Sequence, residues 1–91
     1  MSIDVHVSAM LRHLCGGRSS FAAEGKSIRE VAEAISHDYP GFAELVLQPD
    51  GSIQKGMLVS LNGEMIQPIS GGEIAVKSGD KILILSAVAG G

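Results

Sequence analysis

The sequence predicts an α+β fold, a mixed sheet of about four to five strands with one main helix packed on one face. Three features of the 91 residues support this prediction: alternating apolar residues at the start, one capped amphipathic stripe, and an apolar run near the end. One helix cannot cover both faces of such a sheet, so the second face is left for something else.

The first two strands are predicted before the helix. Apolar and polar residues alternate over residues 3–8, which is typical of a strand with one buried face. The apolar character continues beyond this strand and stops at the turn signal Gly16-Gly17. A weaker alternation over residues 18–23 predicts a second strand that forms a hairpin with the first.

The main helix is predicted over residues 28–38, behind a capping box that begins at Ser27. We expect the Ser27 hydroxyl to accept a hydrogen bond from the Glu30 amide, and the Glu30 carboxylate to accept one from the Ser27 amide. Apolar residues at i, i+3, i+4 and i+7 then form one buried stripe: Ile28, Val31, Ala32 and Ile35. Pro40-Gly41 ends the helix, because proline removes a donor and disfavours helical geometry before it.

The remaining elements are predicted in the second half of the chain. A short helical or irregular piece covers residues 42–47, and a third strand covers residues 57–62. Asn62-Gly63 is the strongest hairpin signal in the chain, with residues 64–66 as its return strand. Residues 81–86 form the last strand, whose consecutive apolar positions are typical of a central strand covered on both faces.

Composition and charge exclude several classes of function. A hydrophobic fraction of 45% and a net charge of −3 argue against intrinsic disorder and against the basic face of a nucleic-acid binder. Two phenylalanines and one tyrosine are too few for a base-stacking platform. No apolar segment approaches the roughly 20 residues that span a bilayer. With no basic stretch and apolar run at the N-terminus, the sequence predicts a cytoplasmic protein without nucleic-acid or membrane partners.

Neither a metal site nor an intrinsic active site is predicted. His13 and Cys15 are close in sequence, but a zinc site needs about four ligands, usually in paired spacings. Nothing near Cys15 in the sequence activates its thiol as a nucleophile. Gly16-Gly17 lacks the following lysine and hydroxyl residue of a phosphate-binding loop. The internal Gly71-Gly72 has no free carboxylate and is interpreted as a turn.

The chain closes on Ala87-Val88-Ala89-Gly90-Gly91, directly after the predicted last strand. A Gly-Gly terminus behind an apolar strand, the Ser-Gly-Asp turn at residues 78–80, the Asn62-Gly63 turn and a capped helix resemble the ThiS/MoaD family of ubiquitin-like sulfur carriers. The resemblance covers the whole chain. It implies a β-grasp (ubiquitin-like) domain over residues 1–86 and a flexible tail over residues 87–91.

In that family the C-terminal carboxylate attacks ATP on a partner enzyme, and sulfur then displaces AMP to leave a thiocarboxylate. The resemblance implies that Gly91 carries the reactive carboxylate, that Ala87, Val88 and Ala89 span a narrow channel, and that Gly90 with Gly91 reaches the nucleotide, where the absent Cβ of glycine permits close approach. It implies a protein cosubstrate rather than an enzyme, with no cofactor bound by this chain. ATP and magnesium would belong to an adenylating partner, beside a sulfur donor and a downstream sulfur-accepting synthase.

The same resemblance implies a partner-binding surface. Side chains alternate between the two faces of a strand, so Leu83 and Leu85 lie opposite Ile82 and Ile84. If the isoleucines face the helix, the leucines lie on the open face together with Leu58 of a neighbouring strand. An exposed apolar patch of this kind marks a protein interface.

Several functions share this pattern. The tail and the span after the helix look closest to carriers for thiocarboxylate-dependent cysteine synthesis, while molybdopterin, thiazole or a related metabolite stay open. A small subunit of molybdopterin synthase is the next interpretation. A ubiquitin-like modifier, joined through Gly91 to lysines of target proteins, begins with the same adenylate. A plain interaction module would use the open face and never activate its terminus.

Overall fold

The computed structural model describes residues 2–86 and contains a mixed sheet of five strands. The strands are β1 (Ile3–Val7), β2 (Ser20–Ala23), β3 (Met57–Leu61), β4 (Glu64–Met65) and β5 (Lys81–Ser86). Their order across the sheet is β2-β1-β5-β3-β4. β1 and β5 are parallel, and the other neighbours are antiparallel. With one main helix, this is the predicted β-grasp fold.

The main helix α2 (Ile28–Asp38) has the predicted bounds. The Ser27 hydroxyl accepts from the Glu30 amide at 3.2 Å, as predicted. The other half of the capping box was wrong, since the Glu30 carboxylate accepts from the Lys26 amide at 3.0 Å. The reason is that residues 26–28 bridge to residues 74–76. This bridge fixes the entry of the chain and leaves the Lys26 amide, not that of Ser27, facing the carboxylate.

The hydrophobic core lies between α2 and one face of the sheet. The predicted helix stripe is buried, and Ile82 and Ile84 of β5 are only 1% and 3% exposed. Val59 of β3 pairs with Ile84 and is equally buried. All of these residues belong to one apolar cluster, so the isoleucines face the helix as expected.

β5 lies in the middle of the sheet, as its apolar run predicts. The expectation that both of its faces are covered was wrong, because Leu83 is 37% exposed and Leu85 is half-buried. The core lies on the isoleucine side. The apolar run therefore has one buried face and one open face.

Short helical segments fill the connections. α1 (Ala9–Arg12) and a 3-10 helix (His13–Cys15) lie between β1 and β2, where the sequence predicted only continued apolar character. β2 consequently begins at Ser20 rather than at residue 18. α3 (Phe42–Val46) corresponds to the short piece predicted over residues 42–47. None of the helices within residues 2–86 has the length and apolar character that crossing a membrane requires.

Candidate functional site

The predicted tail begins where the middle strand of the sheet ends. Met57 pairs with Ser86, the last residue of β5, in antiparallel register. On the other side, the Ser8 amide donates to the Ile84 carbonyl at 3.0 Å, and the Ser86 amide donates to the Ser8 hydroxyl at 3.3 Å. The last described residue is thus held by contacts with both flanking segments.

The reactive residue and the tail residues predicted from the sequence lie outside the described residues: Val88, Ala89, Gly90 and Gly91. Their roles therefore stay predictions, as does the division of the chain at residue 87. The structure gives the position of Ser86, the residue after which the predicted tail begins.

A buried carboxylate fixes the other end of β5. Asp80 is 5% exposed and accepts from the Asn62 side-chain amide at 3.1 Å, the Lys77 backbone amide at 2.9 Å and the Lys77 ammonium at 3.1 Å. These hydrogen bonds, first the one from Asn62, hold the pKa of Asp80 below its ordinary value. The Asn62 side-chain oxygen also accepts from the Lys81 amide at 2.9 Å. The hairpin turn at Asn62 therefore also anchors the start of β5.

The three leucines predicted for partner binding come together on the open face. Leu58 and Leu85 pair directly across β3 and β5, and Leu83 is the next residue on the same face. Leu58 is 40% exposed, against 37% for Leu83. The open-face patch is defined as these three leucines and Met65, which is described in the next paragraph.

Sequence reasoning missed Met65 as a member of this patch. Ser60 pairs with Leu83 on one side and with Met65 on the other, which places both on one face of the sheet. Met65 is 58% exposed. The signal was present in the two-residue turn after residue 61, because that turn sets residue 60 opposite residue 65.

Charged and polar groups border the open-face patch on the β1 side. His6 lies in register with Leu83, and its Nε2 atom is 3.0 Å from an Asp4 carboxylate oxygen. Asp4 in turn lies in register with Lys81. An apolar centre with a polar, charged border is the usual composition of a protein–protein contact surface.

An open groove of about 410 Å³ lies beside Ser86. Leu14, which is 58% exposed, is part of its apolar lining. Its polar lining comes from α3 and from the segment before β3. The apolar lining residues are Leu11, Leu14, Leu45 and Met57. The sequence could not predict this groove, since it is formed by α1 and the 3-10 helix, which were missed, together with α3.

Cys15 and His13 do not form a site with one another. Cys15 has no exposed surface, and burial raises the pKa of its thiol. A thiol kept protonated in this way is a poor nucleophile. Within residues 2–86, no three His, Cys, Asp or Glu side chains group as a metal ion would require. Gly71-Gly72 lies in a short 3-10 helix packed against residues 51–53.

Comparison with known proteins identifies relatives along the full chain. A family model described as the ThiS family matches residues 5–91. The sulfur carrier protein CysO of Mycobacterium tuberculosis is 30% identical over 93 residues, which cover 100% of both chains. A chain in the crystal structure of the Amycolatopsis orientalis BexX/CysO complex superposes with a TM-score of 0.84 at 32% identity, covering 99% of this chain and 100% of that one.

More distant proteins share the fold. The small archaeal modifier protein 1 of Methanosarcina acetivorans superposes with a TM-score of 0.79 at 23% identity, covering 99% of this chain and 96% of that one. At this identity the likeness concerns the arrangement of the sheet and helix only. The β-grasp architecture is therefore shared well beyond the nearer relatives.

Proposed function

This chain belongs to the ThiS family, and we propose that it is a sulfur carrier whose Gly91 carboxylate is adenylated by a partner enzyme and converted to a thiocarboxylate. The observation that carries the proposal is the 30% identity to the sulfur carrier CysO along the whole of both chains. In this role the chain is a protein cosubstrate and not a catalyst. ATP and magnesium belong to the adenylating partner.

The proposed chemistry takes place at the carboxylate of Gly91. A carboxylate oxygen attacks the α-phosphorus of ATP, pyrophosphate leaves, and an acyl-adenylate forms. A sulfur nucleophile then attacks the carbonyl carbon and AMP leaves, so one carboxylate oxygen is exchanged for sulfur. The glycines suit a narrow channel because neither carries a Cβ.

The position of Ser86 supports this use of the tail. β5 is the middle strand, and its end is held by contacts on both sides. The five residues that follow span up to about 17 Å when extended, at roughly 3.4 Å per residue. That reach lets the carboxylate enter a nucleotide pocket while the folded domain stays outside.

The open-face patch is proposed as the surface that contacts the adenylating enzyme. It is apolar, partly exposed and on the same strand that leads into the tail. A relative at 32% identity was crystallised as the BexX/CysO complex, which shows that a protein of this kind assembles with a partner. Contact through β5 and β3 would orient the tail toward the pocket of the partner.

The experiment that tests this function is the intact mass of the protein after incubation with a cognate adenylating enzyme, ATP and sulfide. We expect a gain equal to one sulfur minus one oxygen. The matched control lacks only Gly91, a residue beyond the part of the chain that forms the described domain, and its folding is checked by circular dichroism. A gain that persists in this control would contradict the proposal.

Two other results would point to the alternatives. An adenylate that never accepts sulfur, but is transferred to lysine amines, would support a ubiquitin-like modifier. No change in mass with a partner proven active on another carrier would support an interaction module. Either result would reject the sulfur-carrier proposal.

For the acceptor we propose cysteine synthesis, since the tail and the span after the helix resemble those of carriers for that pathway. The test is to mix the thiocarboxylated protein with a cysteine-forming synthase and its activated serine substrate. The thiocarboxylate sulfur displaces the leaving group on the serine β-carbon, so the first product expected is the carrier with cysteine joined to the carbonyl carbon of Gly91. Hydrolysis of that bond then releases cysteine and restores the carboxylate, with loss of the sulfur mass. Stable copurification with a large catalytic subunit that makes molybdopterin would favour the rival acceptor.

A further inference from the structure

Ser8 occupies the cap position of α1, yet its hydroxyl serves another element. Its backbone is extended (φ −69°, ψ 166°), as is usual before a helix, and its carbonyl accepts from the Leu11 and Arg12 amides at 3.0 and 3.2 Å. Within the described residues its hydroxyl caps no amide of α1. The hydroxyl instead accepts from the Ser86 amide at 3.3 Å, 78 positions along the chain.

This hydrogen bond replaces a missing bond of the β1–β5 ladder. In a parallel ladder, the amide of one residue donates to a carbonyl of the neighbouring strand. The carbonyl of that same residue accepts from the amide that lies two positions further along the neighbouring strand. The Ser8 amide donates to the Ile84 carbonyl, so the Ser8 carbonyl would ordinarily accept from Ser86. That carbonyl is committed to α1 instead, because the chain turns into the helix at Ala9. The hydroxyl supplies the acceptor that the backbone no longer offers.

We propose that Ser8 is a positioning residue for sulfur loading: its hydroxyl keeps Ser86 in the sheet and so fixes the point at which the tail begins. This inference rests on the proposed function, in which a partner must order the tail before Gly91 reacts. If Ser86 leaves the sheet, the segment to be ordered grows by at least one residue. Each added residue increases the conformational entropy lost on binding.

The expected kinetic effect is on binding and not on chemistry. Gly91 lies five residues beyond Ser86, so losing the Ser8 hydroxyl leaves the reacting group unchanged. A longer tail to order raises the KM for the carrier and leaves kcat near the wild-type value. Because unfolding of part of the carrier would also raise the apparent KM, circular dichroism of Ser8→Ala at the assay temperature is used to establish that the variant is folded.

The test compares Ser8→Ala with two control variants. Ser8→Thr keeps a hydroxyl at the same position. Ser27→Ala removes the hydroxyl that caps α2, at a position distant in sequence from β5. The first measurement is amide hydrogen exchange of Ser86 by NMR. We expect Ser8→Ala to speed this exchange about three- to tenfold, the effect of losing one hydrogen bond. Ser8→Thr should restore slow exchange, and Ser27→Ala should change Ser86 no more than other amides of the sheet.

The second measurement is AMP formation by the adenylating enzyme at varied carrier concentration. Ser8→Ala should raise KM by about threefold or more at unchanged kcat, with rescue in Ser8→Thr. Unchanged Ser86 exchange, or faster exchange with unchanged KM, would overturn the positioning role. These results are distinguishable from failure of the proposed function, in which the wild-type protein itself would never be adenylated or loaded with sulfur.

Discussion

At the scale of single residues, polar side chains set where β5 begins and ends. The Asn62 side chain ties the start of the strand to the β3–β4 turn, because it donates to the Asp80 carboxylate at 3.1 Å and accepts from the Lys81 amide at 2.9 Å. Ser8 holds the amide of Ser86 at the other end. Because β5 leads into the tail, these contacts determine the frame from which Gly91 would act.

Replacing Asp80 with asparagine should make the free energy of unfolding less sensitive to acid. The pKa of Asp80 in the folded protein lies below its ordinary value of 3.8. Its ionised form therefore stabilises the fold fully above that value, and the contribution is lost as the pH falls through the folded pKa. We expect the stability difference between wild type and Asp80→Asn to be constant near neutral pH and to shrink in acid.

Urea unfolding at a series of pH values measures this difference. Glu64→Gln is the matched control, since it removes an exposed carboxylate at the far side of the same turn. If the difference in the free energy of unfolding between wild type and Asp80→Asn stays constant down to the lowest pH measured, the stabilising role of the Asp80 hydrogen bonds is contradicted.

The internal pair Gly71-Gly72 and the terminal pair Gly90-Gly91 should behave in opposite ways. A Cβ on Gly72 would lie 2.8 Å from the Gly51 carbonyl oxygen, which is backbone and cannot rotate away. Gly72→Ala should therefore lower the free energy of unfolding by about 1 to 3 kcal/mol and leave sulfur loading of the folded protein intact. Deletion of Gly91 should abolish loading and leave the urea unfolding curve unchanged. Loss of loading in folded Gly72→Ala would contradict this separation.

At the scale of elements, local signals predicted the helix and the last strand well. The bounds of α2 agree with the prediction because a cap, an apolar stripe and a following proline all mark them. β5 agrees because a continuous apolar run between polar residues is unambiguous in length. Alternation also placed Leu83 and Leu85 on the face opposite the buried isoleucines.

Other features were beyond local signals. α1 has four residues, about one helical turn, so no repeat of its apolar pattern exists to detect. The turn at Asn62-Gly63 is a local signal that sets Met65 opposite Ser60, but the place of Met65 in the patch also requires that β3 pairs with β5 on its other side, which no local signal gives. The Ser8–Ser86 hydrogen bond joins positions 78 residues apart. It forms because the start of α1 engages the Ser8 carbonyl, which would otherwise accept from Ser86 in the β1–β5 ladder.

The open-face patch gives a prediction for partner binding. Leu58→Ser should raise the KM for the adenylating enzyme more than tenfold, an effect of about 1.4 kcal/mol or more for a buried contact in an interface. Ile74→Ser is the matched control, because both side chains are 40% exposed and Ile74 lies beside the start of α2. Both variants should unfold at similar urea concentrations. An equal rise in KM for Ile74→Ser would contradict a specific role of the patch.

At the scale of the whole molecule, the hydrophobic core and the proposed reactive group lie in different parts of the chain. One apolar cluster within residues 2–86 joins α2 to the sheet, and the proposed reactive group lies beyond it. The same β-grasp architecture occurs in a modifier protein at 23% identity, so architecture alone does not specify the reaction. The proposed function rests on two observations: the sequence similarity to CysO and the identity of the tail residues.

In the proposed function, sulfur is carried at the carboxylate of Gly91. The alternative carrier atom in this chain is the Cys15 sulfur, which is buried and whose pKa is raised. A persulfide there would add a whole sulfur atom without loss of oxygen, and the added atom would have to come from a polysulfide donor, because sulfide alone cannot form an S–S bond with a thiol. The two cases therefore differ both in mass and in position.

The most direct measurement is fragmentation mass spectrometry of the C-terminal peptide after loading with the adenylating enzyme, ATP, sulfide and polysulfide, so that both carrier atoms have a sulfur source they can accept. A Cys15→Ala variant serves as the control. We predict that one oxygen is exchanged for sulfur in the fragment containing Gly91, in wild type and Cys15→Ala alike. An unmodified C-terminal peptide, with added sulfur on the peptide containing Cys15 and none in Cys15→Ala, would contradict sulfur carriage at Gly91.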